Sequence, residues 1–504
     1  MGDVARRGLW HLEQVLLLLL LSCDSAGVAD PAPEVIDPVA HLARVSLDLR
    51  GIRASPEELL DVLQSPGKVQ EYAEQWVAEP AFAEQMAWHY NERLHTAVAM
   101  RSTPRRYVLS EPQHRAMGWA PLEHVRQIIA EDRNFTEVVT AQSIPVSVVQ
   151  AQTLGWSEPA QDWDVAPVPD GRPMAGILSS PTLWLVIDGD ATSMNRQRAN
   201  AVARIFLCTD FLDREGDFEF ALAPEDLQSS EQATQTQDAC RSCHAALDPL
   251  AAALGGFSER SVAEPIEQAA VYSTFTQDWF RSWVEPAYYG APLGDLADLG
   301  EQVAADPRYG LCTTRYVAES LLGRGLRESD PLLEWGPTAS VQAGALALVQ
   351  TPEYRSTELR TLSNSQLYSM AVDLGERLGG GELSERFEPL LWSPDRRVLA
   401  GGGDDFEVLE ENKTPSLGHH LSMAWVAREL AVAVSLAGPR NETEVRIEIV
   451  RLHTLILSQQ VLPASPEVDA LWQLFQAAGA WDTPEVAWDV VLQALVRHPK
   501  ALVY

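Results

Sequence analysis

The sequence has few basic residues and almost no lysine. Its 504 residues include 38 lysines and arginines against 71 aspartates and glutamates, which gives a formal net charge of −33. Three lysines occur, at Lys68, Lys413 and Lys500. A surface of this charge repels phosphate backbones, so the composition argues against nucleic-acid binding. It favours a basic protein partner, or it serves solubility alone.

An apolar run long enough to span a bilayer is missing near the N-terminus. Val15 to Leu21 is apolar without interruption, but a spanning helix needs about 20 such residues. A short basic start precedes this run and Cys23 follows it closely, as in the signal peptide of a bacterial lipoprotein. We therefore expect a signal peptide over residues 1–22, a lipid on Cys23 and a tether over residues 23–37. An ordinary cleaved signal with an incidental cysteine is the alternative.

Several sequence signatures of catalysis are absent. The chain has no Gly-x-Ser-x-Gly, no HExxH and no dinucleotide-binding glycine fingerprint. The sequence therefore offers no support for a serine hydrolase, a metallopeptidase or a nicotinamide-dependent enzyme of the usual kinds. Whether any region is catalytic is left open.

Cysteine is scarce, with five residues in the chain, and two of them form a motif. Cys240-Arg241-Ser242-Cys243-His244 is a CxxCH, the attachment pattern of haem c. The two thiols can add to the two vinyl groups of the porphyrin, and the histidine that follows is placed to bind the iron. A zinc site would need a second Cys/His pair at ligand spacing, and a thioredoxin-like pair would need a surrounding strand-helix-strand pattern. We therefore predict a covalent haem c on Cys240 and Cys243, with iron bound by His244.

The sixth ligand of the iron and the remaining cysteines are less constrained. Met174 and Met194 come first among the candidates for the sixth ligand, and an open position is the alternative. Cys208 and Cys312 flank the motif in an exported chain, where thiols are usually oxidised. They either form a disulfide across the haem segment or remain two separate buried thiols.

The residues around the motif resemble a known family. Residues 175–182 and 192–196 precede CxxCH, and Leu247-Asp248-Pro249-Leu250 follows it. In this order they are similar to an uncharacterised multidomain cytochrome c family that is abundant in planctomycetes and myxobacteria. Relatives continue after CxxCH with Asp-Pro-x-Gly-Phe-Ala-Leu-Glu-x-Phe-Asp, whereas Gly255 and Ser258 replace the acidic pair here. The resemblance implies a haem-binding region between helical modules, and it implies no particular activity.

The secondary-structure signals are mostly those of helices. Ser55-Pro56-Glu57-Glu58 combines an N-cap serine, proline at the first helical position and a capping-box glutamate, and Pro-Glu follows Thr351, Ser465 and Thr483 in the same way. The best strand signals are Leu183 to Ile187 and Arg446 to Val450, and neither has a hairpin partner. We predict a mainly α fold of multi-helix domains with a short cytochrome c-like haem-binding segment.

These observations define an expected organisation and function. We expect an N-terminal helical domain over 38–165, a haem-binding region with a following helical module over 166–360, and a C-terminal helical domain over 361–504. The expected function is single-electron transfer in the cell envelope by a monohaem protein, which a lipid anchors to the outer or inner membrane. The alternatives are an envelope substrate-binding or interaction protein whose haem is structural or sensory, and a haem enzyme with an open iron site.

Overall fold

The structure is a computed structural model, and it describes most of the chain. The described residues are 36–99, 108–187, 195–211, 238–257, 266–326, 330, 340–356, 360–402, 414–434, 436, 438, 441–479 and 484–504. The predicted signal peptide, Cys23, most of the tether and Met194 lie outside them. Cys240 is described by its backbone alone.

The prediction of a mainly helical fold is confirmed. The helices up to residue 253 are α1 Pro38–Arg50, α2 Pro56–Gln64, α3 Lys68–Trp76, α4 Pro80–Leu94, α5 Glu111–Ala130, α6 Glu137–Thr140, α7 Val148–Leu154, α8 Pro181–Val186, α9 Arg196–Leu207 and α10 Asp238–Ala253. The helices from there to residue 399 are α11 Ile266–Ala269, α12 Thr274–Arg281, α13 Leu296–Ala305, α14 Pro307–Leu322, α15 Val341–Leu348, α16 Asn364–Arg377, α17 Ser384–Phe387, α18 Pro389–Trp392 and α19 Pro394–Leu399. The last helices are α20 Leu417–Ala433, α21 Glu442–Leu457, α22 Pro466–Gly479, α23 Pro484–Val496 and α24 Pro499–Leu502.

Strands are short. Pro145–Val146 (β1) pairs antiparallel with Asp164–Val165 (β2), and Ala287–Tyr288 (β3) pairs antiparallel with Ala291–Pro292 (β4). Within the described residues, no helix is both long and apolar enough to cross a membrane.

The capping signals locate three of the four predicted helix starts. Ser55 Oγ accepts the backbone N–H of Glu58 at 3.2 Å, and Glu58 Oε2 accepts the N–H of Ser55 at 2.7 Å. This reciprocal capping box satisfies two backbone donors at the start of α2, which helices otherwise leave without partners. Helices α22 and α23 also begin at the prolines of their Pro-Glu pairs.

The fourth predicted start, at Thr351, is wrong. Residues 351–355 form turns instead of a helix. The carbonyl of Tyr354 accepts hydrogen bonds from Arg44 at 3.0 Å and from Arg360 at 2.9 Å. Arg44, which is distant along the chain, and Arg360 thus bind a carbonyl that a helix would use, so contacts from outside the turn override the local signal.

Both strand predictions are also wrong. Arg446 to Val450 lies inside α21, where Val445, Ile449, Leu452 and Ile456 form a buried face of helical periodicity. Leu183 to Val186 lies in α8, which begins at Pro181. In both segments the β-branched residues favour strands only weakly, and burial of one helical face decides the outcome.

Two large hydrophobic cores organise the molecule. The first draws its residues from 42–354 and includes Leu391, so it combines the predicted N-terminal domain with the predicted haem-binding region. The second draws on residues 362–502 and includes Leu47. Helix α1 contributes to both cores, because Leu42, Val45 and Leu49 enter the first.

A buried polar cluster joins these two parts. Asp48 on α1 accepts hydrogen bonds from Tyr354 at 2.5 Å, from Arg360 at 2.8 Å and from Tyr504 at 2.5 Å. The side chains of Asp48 and Arg360 are 1% and 5% exposed. We call Asp48, Tyr354, Arg360 and Tyr504 the Asp48 cluster. It binds the first helix of the described chain to its last residue.

Candidate functional site

The CxxCH motif lies in helix α10. Leu247, Leu250 and Leu254 are buried along one side of this segment, and they enter the first core. Half-buried Cys243 packs against the same core. Since residues three or four apart share a face of a helix, Cys240 and Cys243 lie on one face of α10. The helix thus presents its motif at the edge of the first core.

The motif histidine is held by a carboxylate one turn further along the helix. His244 Nδ1 lies 2.9 Å from Asp248 Oδ1. Arg196, on α9, binds the same carboxylate through both of its oxygens, at 2.7 Å from Nε and 3.1 Å from Nη2. The three side chains are 21–23% exposed. We call His244, Asp248 and Arg196 the histidine triad.

The electrostatics of the histidine triad fix the role of each ring nitrogen. Partial burial alone would raise the pKa of Asp248, but hydrogen bonds from His244 and Arg196 and the charge of Arg196 outweigh it, so the pKa of Asp248 is lowered. An ionised carboxylate accepts hydrogen bonds and donates none. Nδ1 of His244 therefore carries the hydrogen and donates it to Asp248. In the neutral ring, the lone pair is then on Nε2, which is the nitrogen left for a metal ion.

The start of α9 positions Arg196 against α10. Asn195 caps this helix in a left-handed conformation with a φ of 61°, and its amide donates to the carbonyl of Leu254 at 3.4 Å. Arg198 is 1% exposed. It donates to the carbonyls of Phe257 at 2.8 Å and Trp184 at 3.0 Å. These bonds hold α9 at the end of the motif-bearing segment.

A disulfide holds the other end of α9. Cys208, at the C-cap of α9, is bonded to Cys312 on α14, with a Cα–Cα distance of 5.4 Å and a sequence separation of 104. Of the two arrangements that the sequence allowed, the structure therefore has the disulfide. Arg93 Nη1 donates to both sulfur atoms, at 3.0 and 3.2 Å. Both ends of α9 are thus fixed by contacts to other helices.

The structure brings some of the predicted site residues together, and others lie outside the described part of the chain. Cys240, Cys243 and His244 share α10, and the side chain of Cys240 lies outside the described part of the chain. No group of three or more histidine, cysteine, aspartate or glutamate side chains is arranged to hold a metal ion in the described part of the chain. Cys23 and Met194 lie outside that part.

Sequence reasoning missed the roles of Asp248 and Arg196. The spacing of His244 and Asp248 could have revealed the first, because residues four apart meet on a helix. Arg196 precedes Asp248 by 52 residues, so no local pattern links the two. The resemblance included both positions without assigning them a function.

Three comparisons with known proteins gave no guide to the function. No family model, no curated protein and no solved structure matches this chain.

Proposed function

We propose that this protein is an exported, lipid-anchored monohaem c-type cytochrome that passes single electrons in the cell envelope. The main support is the CxxCH motif together with the geometry of its histidine, whose Nδ1 is held by Asp248 while Nε2 remains available. Histidines that bind metal ions usually donate their second N–H to a carboxylate or a carbonyl in this way. The residues present therefore fit the predicted group.

Each residue has a separate task in this proposal. Cys240 and Cys243 attach the porphyrin through thioether bonds, and His244 Nε2 binds the iron. Asp248 orients the imidazole and increases its basicity by accepting the Nδ1 hydrogen. Arg196 holds Asp248 through both oxygens and keeps it ionised. A haem c bound here would supply a one-electron couple.

The charge of the molecule supports a basic redox partner. A net charge of −33 attracts positively charged proteins and accelerates their association at low ionic strength. In this proposal the lipid on Cys23 keeps the protein at a membrane surface, and the tether over residues 23–37 connects it to the folded chain. Salt should then slow electron exchange with a basic partner, because screening shortens the reach of these charges.

A haem enzyme with an open iron site is the second candidate. It is favoured by the Asp248–His244 hydrogen bond, because a more basic histidine donates more electron density to a metal ion. A rapid spectral change on adding cyanide to the oxidised protein would support this candidate. A reversible reduction potential with no response to cyanide would support electron transfer.

A pyridine haemochrome spectrum tests the central claim. The chain is produced in a periplasm that contains a cytochrome c maturation system, and the haem is extracted with acid-acetone. We expect a c-type band that stays with the protein, since thioether bonds survive this treatment. A folded Cys240→Ala/Cys243→Ala variant should lose all covalent haem. Ser242→Ala should keep it, because the CxxCH spacing is unchanged.

Well-folded wild-type protein without haem would overturn the proposal. The same conclusion follows if the double cysteine variant retains haem that resists extraction.

A further inference from the structure

A pocket of about 860 Å³ lies between the beginning of the described chain and its C-terminal segment. Apolar side chains from α1, α2, the end of α21 and the C-terminal segment form much of its wall, namely Val39, Ala43, Val62, Leu63, Leu457 and Val503. This volume is within the range of about 300–1,000 Å³ that is typical of small-molecule sites. The pocket includes no residue of the histidine triad.

A buried arginine on the pocket wall has no carboxylate partner among the described residues. Arg53 is 4% exposed, and its Nη2 donates to the carbonyl of Ala501 at 2.9 Å. Its Nε is buried without a hydrogen-bond partner in the described part of the chain. Burial lowers the pKa of Arg53 to about 10, so its guanidinium remains protonated at neutral pH. A buried charge without a partner of opposite sign is destabilising, and a bound anion would relieve that cost.

The described lining of the pocket carries an excess of positive charge, which is unusual in so acidic a protein. Among the charged side chains of the lining, Arg44, Arg53 and Lys500 are cations and Asp37 is an anion. The carboxylate of Asp37 already accepts the backbone N–H groups of Val39 at 2.8 Å and Ala40 at 3.0 Å, where it caps α1. Lys500 is exposed and donates to the side chain of Gln459 at 3.2 Å. Arg53 and Lys500 are therefore the cations placed to meet an incoming anion.

We propose that this pocket binds a small anionic amphiphile, a carboxylate on an apolar chain. The apolar wall receives the chain, and Arg53 and Lys500 receive the carboxylate. A neutral molecule of the same shape would leave Arg53 without a counter-charge, so the charge of the ligand decides its affinity. This binding needs no haem, and it stands whether or not the proposed electron transfer is right.

Titration calorimetry with decanoate and decanol tests the proposal. The full mature chain carries Cys23→Ser, so that neither lipid nor detergent competes for the pocket. We expect one decanoate to bind per chain, and decanol to bind at least about tenfold more weakly. Arg53→Gln should weaken decanoate binding by about tenfold or more and leave decanol binding unchanged.

A second variant keeps the proposal testable if Arg53→Gln does not fold. Arg53 also bonds to backbone carbonyls, whereas Lys500 is exposed, so Lys500→Gln removes a pocket cation with little effect on the fold. It should weaken decanoate binding by about threefold. Arg428→Gln is the matched control, because Arg428 is 66% exposed and does not line the pocket. It should leave binding unchanged.

Three results would overturn the proposal. The first is that wild-type protein binds decanoate and decanol equally, or binds neither. The second is that folded Arg53→Gln and Lys500→Gln variants bind decanoate as wild type does. The third is that decanoate binds only after residues 24–35 are deleted, because the occupant would then be the chain's own N-terminal segment.

Discussion

Asp48 and Asp248 each accept hydrogen bonds from an arginine and from a ring side chain, but their surroundings differ. The side chain of Asp48 is 1% exposed, and its partners Tyr354 and Arg360 are buried as well. The side chain of Asp248 is 21% exposed, at the edge of the first core. The first aspartate joins distant parts of the fold, whereas the second orients one imidazole. Burial therefore separates a carboxylate that joins segments of the fold from the one that serves the proposed haem site.

The largest expected effect is on stability, and it belongs to Asp48. Asp48→Ala removes the counter-charge of buried Arg360, so we expect it to lower the free energy of unfolding by about 3–5 kcal/mol. Asp248→Ala should lower it by about 1 kcal/mol or less, because its ion pair is partly exposed. Urea unfolding followed by circular dichroism measures both. Equal losses of unfolding free energy in the two variants would contradict the contrast between the buried and the partly exposed aspartate.

The next largest effect comes from the disulfide, and it should differ between the region around Asp248 and the region around Asp48. The loop that it closes contains Asp248 and excludes Asp48. For a loop of this length, Cys208→Ala/Cys312→Ala should lower the free energy of unfolding by about 2–5 kcal/mol. Hydrogen exchange should show that α9 and α10 lose protection while α1 keeps it. A uniform loss of protection would mean that the disulfide supports the whole fold equally.

Acid should weaken the region of the Asp48 cluster in particular. Burial, together with nearby arginine charges, lowers the pKa of His41 on α1 from 6.5 to about 4. Below pH 6.5 the imidazole of His41 binds a proton in the unfolded chain, whereas in the folded chain it does so only near pH 4. The free energy of unfolding is therefore unaffected by this titration above pH 6.5, and it decreases as the pH falls towards 4. A shift of this size corresponds to roughly 3 kcal/mol.

Substitution of His41 measures this contribution. Unfolding free energies of wild type and His41→Gln, recorded between pH 7 and pH 4, should differ in slope, with the shallower slope in the variant. Exposed His420 provides the control, and His420→Gln should keep the wild-type slope. Parallel curves for His41→Gln and wild type would contradict the assignment.

Asp248→Asn should have the smallest effect on stability, and it should also change the reduction potential. In the haem-loaded protein, Asp248→Asn removes a negative charge from the partner of His244 and should raise the reduction potential. Asp373→Asn is the matched control, since the Asp373–Arg377 pair is similarly exposed and lies on α16. Spectroelectrochemistry measures both variants. A potential that moves equally in the two would indicate a general charge effect.

The sequence predicted local features of the fold well and tertiary features poorly. The capping box at Ser55 acts within one helical turn, so its residues alone determine it. Thr351 carries a similar signal, but the arginines that bind the turn come from α1 and from residue 360. The strand prediction at Arg446 failed because packing of one helical face outweighed β propensity.

The same limit applies to the candidate site. CxxCH is a local pattern, so the sequence predicted Cys240, Cys243 and His244 as site residues. Asp248 was within reach of a helical-spacing argument. Arg196 and Arg53 were not, because their surroundings come from segments that are distant along the chain.

The disulfide has a consequence for how the protein is made. If the haem is attached as proposed, the thiols of Cys240 and Cys243 must be reduced when they react, whereas Cys208 and Cys312 must be oxidised to bond. One polypeptide then needs opposite redox treatment of two cysteine pairs within a single compartment. Because Cys208 precedes the motif and Cys312 follows it, Cys312 is the last of these cysteines to be exported. Biogenesis can therefore be ordered in time, with haem ligation before closure of the loop.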